Sequence, residues 1–375
     1  MKTTKLLRLT RCAMLIGSIM IAALPAAKAQ PVPGAQKQPD MTIDAAQRGK
    51  LIDDIIGELN RSYVFPDQAK KAEAVLRAHQ KQGAYDSITS AEKMRDTLTE
   101  HLQSVTRDKH LKVFYSAKPL PDDTKDRTPT PEQKAMQLAF MQSQNFGVEK
   151  IQRLPFNIGY LELHGFAPNE DAAQTLAAAM TVVANTDALI IDLRKNGGGD
   201  PDTVTMLASY LLDKRTHLSD IYYRKGDLTQ QKWSSDKVSG QRYGEKKDVY
   251  ILTSKHTFSA AEDFSYALKN LKRVTIVGET TGGGAHPGGV TKLATNFAMF
   301  VPNGRSISPL TKTDWEGVGV APDVAVKAED AMKTAQVSVL NKMLASEKDP
   351  AKVTRLNARI AAVQAEDHSA SMARQ

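Results

Sequence analysis

The residues whose types and spacing suit chemistry in this chain are a serine, three glycine-rich or small-residue turns, and a few histidines and carboxylates. The serine lies in Thr253-Ser254-Lys255-His256-Thr257-Phe258-Ser259-Ala260-Ala261-Glu262-Asp263-Phe264. The apolar run Asp248–Leu252 precedes it, and Phe264, Ala267, Leu268 and Leu271 follow at helical spacing. That order reads as strand, turn, helix, with Ser259 at the first helical turn. Backbone N–H groups at a helix start lack internal partners and the helix dipole favours negative charge, so an oxyanion can be held there. The same pattern also suits a plain helix start, because serine is a preferred N-cap and Ser-x-x-Glu a capping box.

Two glycine loops add to this. Ile191-Asp192-Leu193-Arg194-Lys195-Asn196-Gly197-Gly198-Gly199-Asp200 places three glycines between an apolar strand and a helix. Gly282-Gly283-Gly284-Ala285-His286-Pro287-Gly288-Gly289 follows the strand Val274–Val277. Glycine permits positive φ and leaves no side chain in a ligand's way. Neither loop has the spacing of a phosphate-binding motif. A structural turn and an oxyanion cradle both remain open for each. A nucleophilic serine needs a base; His110, His164, His256 and His286 lie at strand ends or in these loops, and spacing does not choose among them. Glu316, in Trp315-Glu316-Gly317-Val318-Gly319, could orient an imidazole or serve as a loop ion pair. No histidine or cysteine metal motif occurs, so neither a metal nor another cofactor is expected.

The elements that must position these residues follow from hydrophobic periodicity. Strands are expected at 158–163, 188–193, 249–253 and 274–277, with helices at 170–184, 202–212 and 260–271. Near-continuous apolar strands alternating with helices indicate an α/β fold with a largely parallel sheet covered on both faces. In such a sheet the loops after Leu193, Leu252 and Val277 meet on one rim. Upstream, 42–60, 69–79 and 90–105 read as helices and His110–Tyr115 as a half-buried strand. A proline- and charge-rich linker and a short helix at 135–144 come next, and Asp349-Pro350 starts a last helix.

Lys2, Lys5, Arg8 and Arg11, the apolar stretch Ala13–Leu24 and Ala27-Lys28-Ala29 before Gln30 have the form of a secretory signal. The apolar stretch, about 12 residues, is short of the roughly 20 that span a bilayer. Cys12, the only cysteine, lies inside this segment, so no disulfide is expected. Removing the segment takes away five basic and no acidic residues, which lowers the formal charge from +8 to +3. The basicity therefore belongs to the targeting segment and does not argue for nucleic acid. The reading is an exported protein, periplasmic or secreted, with no stable membrane span after signal cleavage.

Five motifs, RD-x-HL-x-V-x-Y, LIIDLR-x-NGGG, TS-x-x-TFSAAE-D-F, VGE-TTGGGAHPGG and WEG-x-GV-x-PD, together resemble the carboxy-terminal-processing, or tail-specific, serine peptidases. The subgroup akin to the repeats of interphotoreceptor retinoid-binding protein is the most similar. The resemblance extends to Tyr63-Val64-Phe65-Pro66-Asp67 and covers about 45 to 327. It implies a crotonase-like ββα core preceded by a small helical domain, and hydrolysis of a peptide or protein substrate. It implies Ser259 as nucleophile, His110 as base and Glu316 as its acid, with the N–H groups of Gly198 and Ala260 as oxyanion hole. Gly197, Gly199, Gly283, Gly284 and His286 become candidate substrate-binding positions. Much of that family uses a lysine about 25 residues after the serine; that position falls among Gly282 to Ala285, where no lysine occurs. The family's usual PDZ domain has no room, since only about 40 residues separate Tyr115 from Ile158. The implied organisation is a signal peptide (1–29), a leader (30–39), a helical domain with a terminal strand (40–118) and a linker (119–145). A catalytic domain (146–327) and a helical tail (328–375) complete it. A non-catalytic carrier of small hydrophobic molecules, or an esterase using the same site, are the rival readings.

Overall fold

The computed structural model describes residues 38–120 and 130–365. The expected signal, most of the leader and part of the linker lie outside the described residues. Three helices open the fold: α1 (Ala45–Ser62), α2 (Pro66–Lys81) and α3 (Ala91–Thr106), followed by β1 (Lys112–Tyr115). Asp44 and Gln47 form a capping box at α1, and Ser90 caps α3 through the Lys93 amide. Leu51, Ile52, Ile55, Ile56 and Leu59 of α1 are all buried, as their helical spacing requires. Next comes α4 (Pro131–Ser143), whose residues are not buried.

The remainder alternates strand and helix. It comprises β2 (Val148–Leu154), β3 (Ile158–Leu163), α5 (Asn169–Val183), β4 (Ala188–Asp192), α6 (Pro201–Leu211), β5 (His217–Tyr223) and β6 (Leu228–Trp233). Then follow β7 (Asp248–Thr253), α7 (Ala260–Asn270), β8 (Thr275–Gly278), β9 (Gly288–Ala294), β10 (Phe297–Pro302), β11 (Gly304–Ile307) and β12 (Val324–Ala325). Helices α8 (Ala328–Ser346) and α9 (Pro350–Ala365) end it.

The central sheet has the order β12-β8-β7-β4-β3-β2 and is parallel except for the β2–β3 pair. Every residue of β4 is buried, as expected of a strand covered on both faces. One face packs on α5, α6 and α7, whose Leu176, Leu207 and Phe264 join Leu189 and Ile191 in one core. The other face, with Ile190 and Leu252, packs on Val339 and Leu340 of α8 and Leu356 of α9. The α/β class and the largely parallel sheet are thus as the sequence indicates.

Two small antiparallel sheets flank the main one. The first, β11-β5-β6, has no counterpart among the elements expected from the sequence. The second, β1-β10-β9, carries the helical region onto the rest of the chain, because β1 pairs with β10 from Lys112↔Phe300 to Tyr115↔Phe297. Leu59, Leu98 and Leu102 share one buried cluster with Phe297, Met299 and Val301. Arg224 reinforces the junction by donating to the Tyr63 and Asn60 carbonyls at 2.8 and 2.9 Å. The helical part therefore has a buried cluster of its own, which β10 of the later part completes.

Candidate active site

Strand β7 ends at Thr253 and α7 begins at Ala260, so Ser259 occupies the N-cap of α7. Its backbone has φ 55° and ψ −121°, a conformation that L-residues rarely adopt and that costs on the order of 1–3 kcal/mol. Glu262 holds this strained turn. Its buried carboxylate accepts the Ser259 N–H at 2.8 Å, the Gly283 N–H at 2.7 Å, the Gly284 N–H at 2.9 Å and the Thr281 hydroxyl. The plain helix-start reading of Ser-x-x-Glu is thus realised as well. The same carboxylate ties the serine turn to the third glycine loop. Burial raises the Glu262 pKa above its ordinary value, with the four donors opposing. The Ser259 hydroxyl lies within capping-box geometry of the α7 amides but makes no cap hydrogen bond.

The first glycine loop lies directly against the serine. A methyl group on Gly198 would fall 2.7 Å from Ser259 Cβ and 3.0 Å from the Ala260 nitrogen. Gly198 has φ 108° and Gly199 φ 139°, so both positions need glycine. Asn196 anchors the loop: it is fully buried, its carbonyl accepts from the Phe258 N–H, and its Nδ2 donates to the Leu163 carbonyl. Its Oδ1 also accepts the Gly198 N–H at 2.9 Å. Of the two amides expected in the oxyanion hole, that of Ala260 has no acceptor among the described residues, whereas that of Gly198 is engaged by Asn196. Gly197 meets no neighbour within 4 Å of where a side chain would begin.

The structure brings His110 against the residue before the serine, although among the described residues no hydrogen bond joins Ser259 and His110. His110 packs between Phe258 and Phe300, with ring centroids 4.5 and 5.6 Å away. Phe258 is the residue before Ser259, and a methyl on Gly284 would touch both the Phe258 ring and His110 Cε1, the latter at 2.7 Å. The His110 Nδ1 is buried and without a partner among the described residues. Burial pushes the His110 pKa down to about 4, with Asp108 opposing. His256 is exposed, and His164 is bonded to Glu162 at 2.7 Å, so both have simpler surroundings.

Glu316 does not meet His110: among the described residues no hydrogen bond or ion pair joins them. Its Oε2 accepts the Ala285 N–H and lies 3.4 Å from His286 Nδ1, and its Oε1 is buried without a partner. Burial and the charge of Asp108 raise its pKa to about 7, with His286 opposing. His286 is 5% exposed and donates from Nδ1 to Asp108 Oδ2 at 2.8 Å. Burial alone would lower the His286 pKa, but the bond and charge of Asp108 and the charge of Glu316 outweigh it and hold it above the ordinary value. Asp108 also accepts the Tyr63 hydroxyl at 3.1 Å and, through Oδ1, the His110 N–H at 3.0 Å.

Asp108, His286 and Glu316 each offer one ligand atom, all within 4.8 Å of one another. The 2.8 Å contact between His286 Nδ1 and Asp108 Oδ2 is that of an N–H···O bond. Asn196, Glu262 and Asp108 were not singled out as site residues by sequence reasoning. Their signals are present: Glu262 is three residues after Ser259 and Asp108 two before His110, both short-range capping distances.

Residues 157–326 match the family described as peptidase family S41, and residues 45–146 match the N-terminal domain of that family in eukaryotic interphotoreceptor retinoid-binding protein. The chain belongs to peptidase family S41. Among the family's curated members it is similar to carboxyl-terminal-processing peptidase 2, chloroplastic, of Arabidopsis thaliana. The two are 30% identical over 166 residues, which cover 44% of this chain and 31% of the relative. With the carboxy-terminal-processing protease of Bartonella bacilliformis it is 27% identical over 187 residues, 47% of this chain and 40% of the relative. The S41 chain thus spans only about a third of the length of the curated relatives it matches. The fold is shared with a solved structure from Parabacteroides merdae, at TM-score 0.54 and 20% identity, covering 78% of this chain and 96% of that one. It is also shared with mature CPAF complexed with lactacystin, at TM-score 0.53 and 12% identity, covering 79% and 97%. The helical region before the S41 core is part of that family, as the sequence motifs imply.

Proposed function

We propose that this S41 chain hydrolyses peptide bonds through an acyl-enzyme on Ser259. The observation that carries the reading is the strained N-cap placement of Ser259 on α7, pressed against Gly198 and held by Glu262. His110, neutral above about pH 4 and with Nδ1 sealed in the protein, takes the serine proton through Nε2. Ser259 Oγ attacks the carbonyl carbon, and the unpaired Ala260 N–H receives the developing oxyanion. The Gly198 N–H becomes the second donor by exchanging Asn196 Oδ1 for the substrate oxygen. His110 then protonates the leaving amine, and water, deprotonated by His110, releases the acyl group. Glu316 is the acid of the site and acts from the His286 side. Gly197 and Gly199, both exposed, line the approach, whereas Gly283 and Gly284 are buried with their amides on Glu262.

A fluorophosphonate probe should label Ser259 stoichiometrically in folded protein. S259A should abolish labelling, and H110A should slow it by about 100-fold to 10,000-fold, the usual span of a general base. Folded protein that does not label, yet carries an apolar ligand through purification, would instead support the carrier reading.

Export is proposed as well, on the basic start, the apolar stretch and the Ala27-Lys28-Ala29 pattern. No helix among the described residues is long and apolar enough to cross a membrane. Amino-terminal sequencing of protein recovered from the native host should begin at Gln30; recovery with Lys2 and Lys5 intact would overturn it.

A further inference from the structure

Three segments far apart in sequence converge on one imidazole that the proposed mechanism does not use. Asp108 comes from the turn between α3 and β1, His286 from the third glycine loop, and Glu316 from the loop before β12. We propose that His286 is a positioning residue, held as an imidazolium between Asp108 and Glu316, through which Glu316 and Asp108 fix the general base His110. This rests on the serine-peptidase reading above.

The connections run in one chain. Glu316 Oε2 faces His286 Nδ1 at 3.4 Å, His286 Nδ1 donates to Asp108 Oδ2 at 2.8 Å, and Asp108 Oδ1 accepts the backbone N–H of His110 at 3.0 Å, which fixes the turn that carries the imidazole. The proton on His286 offsets the buried charge of Asp108 and, above about pH 7, that of Glu316 as well; without it the two groups would repel across a dry gap. The charged and titratable groups facing His286 are Asp108 and His110 from the helical region and Glu316 and Asp314 from the loop before β12. Phe65 closes the cluster with its ring 5.1 Å from the imidazole. Tyr63 gives Asp108 a further donor at 3.1 Å, so the carboxylate has no freedom to turn away from the His110 loop.

Three titrations meet here, with His110 near pH 4, Glu316 near pH 7 and His286 above the ordinary histidine value. His110 must be neutral to act and is so above about pH 4. His286 must be charged to hold Asp108 and Glu316 together, and its raised pKa keeps the charge to a pH above the ordinary histidine value. Activity therefore rises through the His110 titration and falls as the proton shared by the cluster leaves, which gives a bell-shaped profile with a cluster-owned alkaline limb.

The test measures the second-order rate of fluorophosphonate labelling of the full chain from pH 3.5 to 9.5 in wild type, H286A, H286N and D108N. An asparagine amide can donate from near the Nδ1 position without a charge. H286A should label roughly 100-fold more slowly at pH 7, the scale of a misplacement of about 1 Å in a catalytic group. H286N should recover about tenfold of that loss and should lose the alkaline limb while keeping the acid limb. If H286A does not give a cooperative thermal transition, H286N and D108N decide alone, D108N by losing the alkaline limb as well. Folded variants with wild-type rates and an unchanged alkaline limb would overturn the role of His286. Wild-type protein that never labels would overturn the peptidase reading instead, so the two failures are distinguishable.

Discussion

At the residue scale, the site's unusual titrations follow from burial. His110 sits between two phenylalanine rings with Nδ1 shut away, so its charged form is expelled and its pKa falls to about 4. The acid limb of the labelling rate should accordingly begin near pH 4; a rate that does not change between pH 3.5 and 5.5 would contradict the placement of His110. Gly284 is a second test, because a methyl there would lie 2.2 Å from the Phe258 ring and 2.7 Å from His110 Cε1. G284A should cut labelling by about tenfold or more while its Tm changes little, read by probe kinetics beside a thermal melt. Asp263, one residue after Glu262, is buried with Oδ1 unpaired, and burial raises its pKa to about 6. The folded state thus binds a proton more tightly than the unfolded chain, so this group's penalty appears as pH rises from about 4 through 6. D263N should raise stability by about 1–3 kcal/mol at pH 7.5 and by almost nothing at pH 3.5, measured by urea unfolding. The serine turn and the glycine loops were legible as a strand, turn and helix pattern, whereas spacing left four histidines open and only the family motif singled out His110. That Glu316 would rest on His286 was not, since which of two carboxylates an imidazole takes depends on a packing of three distant segments.

At the scale of elements, the strand–turn–helix unit around Ser259 was readable because β7 is an unbroken apolar run and α7 has a clear helical stripe. β4 and β8 followed for the same reason. Strand β2 escaped because its pattern, Val-Glu-Lys-Ile-Gln-Arg-Leu, buries only its ends and marks an exposed edge. β5 and β6 escaped because β6 is polar and largely exposed and takes its strand form from pairing with β5. The turn into α6 depends on backbone contact that no side chain reports. Gly199, with φ 139°, lies so close to Phe166 that a methyl would fall 2.0 Å from the Phe166 oxygen. G199A should cost about 2–4 kcal/mol of stability and slow labelling by displacing Gly198 from Ser259, read from unfolding curves and probe rate together. A variant of wild-type stability would show that the loop can open without cost.

At the scale of the whole molecule, the helical region and the catalytic part share hydrophobic contacts. Leu98 is fully buried in the cluster that also holds Met299 and Val301. L98A should cost about 2–5 kcal/mol and should lower one unfolding transition seen alike by circular dichroism and tryptophan fluorescence. Two transitions, with only the helical signal shifted, would refute the shared core. The sequence suggested a domain boundary near 118 because composition changes there; the β1–β10 pairing crosses it and is a contact of long sequence separation that periodicity does not reveal.

That same pairing sets when the chain can become dangerous to its surroundings. In the proposed mechanism the base is carried by residue 110, the nucleophile by 259 and the acid by 316, and β1 finds its neighbour only once residues 297–300 exist. A nascent or truncated chain presents a serine with nothing to activate it. On that reading the order of synthesis acts as a safety catch, because β1 cannot pair until β10 has been made.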